Sequence, residues 1–171
     1  MTQPLRTGPA RGGWLALIGW IALCQAAGVL GVLTTDTGGS PWYRALEKPA
    51  FNPPAWVFAP VWTTLYTLMG IAAYLLWRKR RHSRVARIAI AWFILQLLLN
   101  AAWTPVFFGL HSLVGGLMVI IALWIAIAAT IAAAWRVSRA APWLLLPYWV
   151  WVTFATVLNG SIAWMNGGPA A

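Results

Sequence analysis

The stretch LVGGLMVIIALWIAIAATIAAAW, Leu113 to Trp135, carries no charged side chain. It is longer than the roughly 20 apolar residues a helix needs to cross the hydrocarbon core of a bilayer. Four runs of the same kind surround it. The first covers about Trp14–Leu33, the second 55–77, the third Val85–Thr104 and the last 142–165. Only short turns and one longer loop are left between them. The 171 residues are 61% hydrophobic and 8% charged, with a mean hydropathy of +0.74, against roughly 25% charged residues in soluble domains. The sequence therefore predicts an all-α membrane protein, a five-transmembrane-helix bundle forming one domain over 1–171, with no soluble domain.

The termini of the runs carry helix signals. Asn52-Pro53-Pro54 opens the second, with Asn placed to cap and Pro in the first turn, where its missing N–H is harmless. Pro60 lies inside that run, Pro105 stops the third, a tight turn at 108–112 follows, and Pro142 opens the last, which holds Pro147. The longest connection, Thr34 to Pro54, contains both acidic residues, Asp36 and Glu47, beside Arg44 and Lys48. Its Trp42, Tyr43 and Phe51 suit an interfacial aromatic belt or a lid. The basic start (Arg6, Arg11) and first run also fit a signal peptide, but the run is longer than an h-region and no small-x-small cleavage site follows, so it reads as an uncleaved first span.

Net charge is +10, which raises nucleic acid as a partner. The position of the charges argues against it. Arg78, Lys79, Arg80, Arg81, Arg84 and Arg87 cluster between two apolar runs, as in a cytoplasmic loop. Ten of the 12 Lys and Arg residues fall on the side of the N-terminus, leaving Arg44 and Lys48 on the other. The positive-inside rule then places the N-terminus in the cytoplasm and the C-terminus outside, in a bacterial cell membrane. Cys24, the one cysteine, lies mid-run without a disulfide partner and reads as a small buried hydrophobe.

No Asp, Glu, Lys or Arg falls well inside a span, which removes most of the support for proton-coupled transport and for a retinal Schiff base. His82 and His111 lie in connections, so they make no facing pair for haem iron, and no nucleophile elbow appears. No catalytic residue, metal site or obligatory cofactor is expected. What the spans offer is aromatic surface. Trp62, Tyr66 and Met69 share one face of the second span, and Asn100, Trp103 and Phe107 do so at the end of the third. Trp151, Ala155 and Leu158 line the last span, with Val152, Thr156 and Asn159 beside them. Converging, these faces would wall a cavity for a planar hydrophobic ligand, with Asn100 and Tyr66 as hydrogen-bond handles. The competing reading has Trp20, Trp77, Trp92, Trp135, Trp143 and Trp164 as interfacial anchors, and Asn100 and Asn159 as interhelical glue.

Three blocks carry a resemblance: Trp42-Tyr43 with Lys48-Pro49 and Asn52 to Gly70, then Leu99 to Gly109, then Pro147-Tyr148 through Trp151 to Leu158-Asn159. Over about Trp14 to Asn166 the chain resembles the tryptophan-rich sensory protein family, also called the translocator protein or peripheral-type benzodiazepine receptor family (TspO/MBR), as a bacterial member. The resemblance implies a five-helix bundle, a homodimer, that binds porphyrins such as protoporphyrin IX and haem, or other planar hydrophobic small molecules, beneath its first loop. On that pattern Trp56, Trp62, Tyr66, Asn100, Trp103, Trp151 and Ala155 match pocket positions, and Trp42 and Phe51 match the covering loop. Ala50 stands where bacterial members often carry a second Trp, weakening the lid. Val152 replaces a small Ala and narrows the pocket. The segment after Asn159 lacks the Tyr and Arg of the cholesterol motif, so cholesterol is not expected. A binding and sensing role ranks first, facilitated or partner-driven tetrapyrrole transport second, and light-dependent porphyrin breakdown third, since no acid/base constellation supports an enzyme.

Overall fold

A computed structural model describes residues 13–33 and 40–167. Among them there is no strand, and five helices are long and apolar enough to span a bilayer. These are α1 (Gly13–Leu33), α3 (Ala55–Lys79), α4 (Arg84–Thr104), α5 (Leu113–Trp135) and α6 (Ala141–Met165). A short helix absent from the sequence reading, α2 (Pro41–Ala45), lies in the long loop. Every expected span is present, with ends shifted by no more than two residues.

Helix starts follow local chemistry. Ser83 Oγ accepts from the Ala86 N–H at 3.2 Å, capping α4, and Ser112 Oγ accepts from Gly115 at 3.1 Å, capping α5. Asn52 does not cap α3. Pro54 takes the N-cap position, and the Asn52 amide nitrogen points to the Pro53 carbonyl instead. Nor does the third span simply stop at Pro105. It passes into a π-helical turn, Pro105–Gly109, closed by the Leu110 N–H on the Pro105 carbonyl at 2.9 Å. Proline has no N–H to continue the α-ladder, and widening the turn is one way to absorb that loss. The turn drives Phe107 into the core, and His111 then adopts φ 52° ahead of the Ser112 cap.

The spans close a ring. α1 packs on α3 and α4, α3 on α6, α6 on α5 and α5 on α4, while α3 and α4 also touch. Between lipid-like surfaces there is little hydrophobic drive for helices to associate, so close backbone approach and polar links decide packing. Gly70 supplies a close backbone-to-backbone approach, since a Cβ there would lie 2.5 Å from Ile21 Cα. Gln25 of α1 donates to the Thr63 carbonyl at 3.0 Å and Thr67 Oγ1 at 3.1 Å on α3. The Thr63 and Thr64 hydroxyls bond back to the Ala59 and Pro60 carbonyls beside the in-helix proline. The sequence holds small-x-x-x-small pairs that permit close helix approach, among them Ala22/Ala26, Ala27/Gly31 and Ala122/Ala126. Ala27/Gly31 serves the bundle, because Gly31 abuts Thr104, and Ala126 is buried, whereas Ala22 and Ala26 face outward.

One tryptophan assignment changes. Trp20 is no simple end anchor, for it packs edge-on against Phe93 at 6.1 Å inside the bundle. Trp77, near the end of α3, carries the Arg80 guanidinium 3.7 Å above its ring. The long loop between α1 and α3 is fastened to the C-terminal end of α6. The Glu47 N–H donates to Asn166 Oδ1 and Asn166 Nδ2 donates to the Glu47 carbonyl, both at 2.9 Å.

Candidate functional site

A polar relay crosses the bundle between three helices. Tyr66 of α3 donates its hydroxyl to Asn100 Oδ1 on α4 at 2.6 Å, and Asn100 Nδ2 donates to Tyr148 Oη on α6 at 3.1 Å. All three side chains are buried, Tyr148 completely. Tyr66 gets there because Gly28 of α1 leaves room. A Cβ on Gly28 would lie 2.2 Å from the phenol ring. A second polar link lies nearer the loop, where Trp103 Nε1 donates to Asn159 Oδ1 at 3.2 Å and Asn159 Nδ2 to the Leu113 carbonyl at 3.1 Å. Both asparagines therefore join helices. Gln96, one turn from Asn100 along α4, is 1% exposed and its amide has no protein partner.

Around these links the aromatic residues gather in three groups. Trp62 stacks on Tyr66 at 5.2 Å and meets Tyr148 edge-on at 6.2 Å. Trp103 stacks on Phe107 at 5.0 Å, and Phe107 in turn meets Trp42 and Tyr43 of α2 and its neighbour Phe108. Trp42 also stacks on His111 at 4.5 Å. The third group joins Phe58 to Trp151, Trp151 to Phe154 and Phe154 to Phe51. Edge-to-face and offset pairs at these separations are the favoured arrangements of aromatic quadrupoles, worth about 0.5–1.5 kcal/mol each beyond burial.

Of the residues singled out in the sequence, Trp62, Tyr66 and Asn100 meet directly, and Trp103 and Trp42 meet through Phe107. Trp151 and Phe51 share the Phe154 group, and Ala155 packs half-buried against the core. Trp56 stands apart, 74% exposed at the start of α3. Sequence reasoning left out Tyr148, although it is the third member of the relay. It lies three residues before Trp151, and helical spacing puts it on the same side of α6. Phe58 and Phe154 were likewise missed as the partners of Trp151.

The rings pack on one another, and the clefts lie elsewhere. One of about 310 Å³ is lined by Pro60, Val61, Thr64, Leu65, Leu68 and Pro147 between α3 and α6. Another of about 190 Å³ lies between α5 and α6. None of the sequence-predicted ligand residues lines either. Lys48 directs its ammonium to the Leu46 carbonyl at 2.8 Å and the Arg44 carbonyl at 3.4 Å, 4.7 Å from the Tyr43 ring. Burial pushes the Tyr43 phenol above its usual range. Among the described residues no group of three His, Cys, Asp or Glu side chains could hold a metal ion.

Comparison with known proteins gives a consistent result. Residues 20–165 match the TspO/MBR family. The tryptophan-rich protein TspO of Chlorobaculum tepidum is 43% identical over 150 residues, covering 85% of this chain and 92% of that protein. Protein CrtK of Rhodobacter capsulatus is 36% identical over 149 residues, 87% of this chain and 91% of its own length. The translocator protein of Bos taurus is 39% identical over 148 residues, 85% and 87% of the two chains.

Proposed function

The chain belongs to the TspO/MBR family, and from that premise we propose that it is a membrane receptor or sensor for porphyrins, protoporphyrin IX and haem above all, and for other planar hydrophobic molecules. The observation that carries the reading is the set of aromatic groups contributed by α2, α3, α4, the π-turn and α6, with Trp62 stacked directly on the Tyr66, Asn100 and Tyr148 relay. Flat π-surfaces supply affinity for a macrocycle, and a few fixed polar groups orient it. Because the rings pack on each other, stacked or edge-on, a ligand must part them. The loop carrying α2 is the element to move, being held by Trp42 on Phe107 and by the Glu47 and Asn166 pair. Lys48 would exchange its backbone carbonyls for a propionate, a stronger charge-assisted partner.

In a titration of the detergent-purified chain with protoporphyrin IX in the dark, tryptophan quenching saturates at micromolar or lower concentration. Replacing Trp62 and Trp151 together by alanine removes two stacking faces and weakens binding at least tenfold, at about 1 kcal/mol for each face. Non-saturable quenching by the unmodified chain would exclude a porphyrin site. Transport of the ligand, facilitated or driven by a partner, and light-dependent breakdown rank below binding. Indoles beside an excited macrocycle are plausible electron donors, but the sequence offers no dedicated acid/base constellation to accompany them.

The orientation proposed is N-terminus in the cytoplasm and C-terminus outside, in a bacterial cell membrane, as a homodimer. The outward-facing Ala22 and Ala26 of α1 give a surface on which a second copy can approach closely. Cys24 is fully buried, so introduced cysteines can be read against it directly. In intact cells a membrane-impermeant maleimide labels Ala45→Cys and leaves Arg81→Cys unlabelled until the membrane is opened. The reverse pattern would invert the topology.

A further inference from the structure

The basic end of the bundle holds a feature that the aromatic site does not use. Between α5 and α6 runs a cleft of about 190 Å³ whose lining, Ala128, Ile131, Ala132, Trp135, Leu146 and Trp149, is apolar throughout. At its end Trp135 and Trp143 meet edge-on at 5.5 Å and are both exposed. Exposed indoles at a span's end lie at headgroup level, so the cleft leads from headgroup depth into the hydrocarbon. Immediately beyond Trp135 the connection to α6 carries Arg136 and Arg139, both exposed. The connection between α3 and α4 is drawn against this one, since Lys79 Nζ donates to the Val137 carbonyl at 2.7 Å. Arg78 and Arg80, on either side of Lys79, thereby add to the same field. The chain's two acidic residues, Asp36 and Glu47, both lie in the sequence between α1 and α3, and among the described residues no carboxylate accompanies these cations.

We propose that this cleft, with Arg136 and Arg139 at its mouth, binds one anionic phospholipid, an acyl chain lying along α5 and α6 and the phosphate on the guanidiniums. Charge complementarity selects the occupant. A zwitterionic lipid fills the groove equally well but gains little from an uncompensated cation cluster, and guanidinium forks match phosphate oxygens. The larger cleft at Pro60 and Pro147 has no Lys or Arg in the adjoining part of either helix. It offers a tail site without a headgroup site.

The test is native mass spectrometry of the full chain in detergent, offered equal amounts of phosphatidylglycerol and phosphatidylcholine. One phosphatidylglycerol is retained in preference. Arg136→Gln with Arg139→Gln weakens its retention roughly 30-fold, the effect of two interfacial cations. Arg81→Gln with Arg84→Gln removes equal charge from the same end, away from the cleft, and weakens it less than about threefold. Ala132→Leu, which fills the groove and leaves charge unchanged, also reduces retention. Equal losses from both arginine pairs would reduce the site to diffuse surface attraction and overturn the proposal, as would indifference to Ala132→Leu or equal retention of the two lipids. All these positions except Ala132 are exposed cations, and unchanged helical circular dichroism confirms that each variant is folded.

Discussion

Leucine in place of Gly70 is expected to lower the midpoint of thermal unfolding in detergent by about 6–12 °C. The first atom of any side chain at this position lands 2.5 Å from Ile21 Cα and 2.8 Å from its nitrogen, and backbone cannot rotate aside as a side chain does. α1 must lift from α3, which also pulls Gln25 off Thr63 and Thr67. Overpacking that moves backbone costs about 1–3 kcal/mol, and a backbone-to-backbone clash lies at the upper end, about 3 kcal/mol. For a chain of this length each kcal/mol shifts the midpoint by about 2–4 °C. An unchanged midpoint would mean that the two helices are not in close contact at Gly70.

Asn100→Leu should lower unfolding free energy by about 2 kcal/mol and weaken porphyrin binding in the same variant. Interhelical hydrogen bonds within membranes average only about 0.6 kcal/mol. The larger figure arises because leucine removes the acceptor of Tyr66 and the donor to Tyr148 together, stranding two buried phenols. Reversible unfolding in mixed micelles measures the first effect, and the protoporphyrin titration the second. A stable variant with unaltered binding would show that the relay is incidental to the ligand site.

The spans were readable from sequence because hydrocarbon imposes a length and composition that few other environments require. Their packing was less so. Nothing in the apolar pattern around Gly28 and Gly70 says which glycine lies beneath a phenol and which against a backbone. That depends on how α1 and α3 are rotated about their axes. The inward face of α3 was visible in the spacing of Trp62, Tyr66 and Met69, and Tyr66 and Met69 are indeed buried. Tyr148 was overlooked as a site residue because its role comes from a partner 48 positions away. The π-turn escaped because proline signals a break in the α-ladder without specifying how the chain repairs it. Trp56 shows the opposite case. The resemblance alone placed it in the pocket, and the structure leaves it 74% exposed.

The membrane and family assignments stand on the five spans and on relatives 36–43% identical over most of the chain. The most direct measurement of the ligand site is an experimental structure of the chain saturated with protoporphyrin IX in the dark. The proposal predicts the macrocycle beneath the α2 loop, stacked against Trp62 and Trp151, with the Tyr66, Asn100 and Tyr148 hydrogen bonds at its edge. A macrocycle in the outward-facing cleft between Pro60 and Pro147, with the aromatic groups packed as they are here, would contradict it.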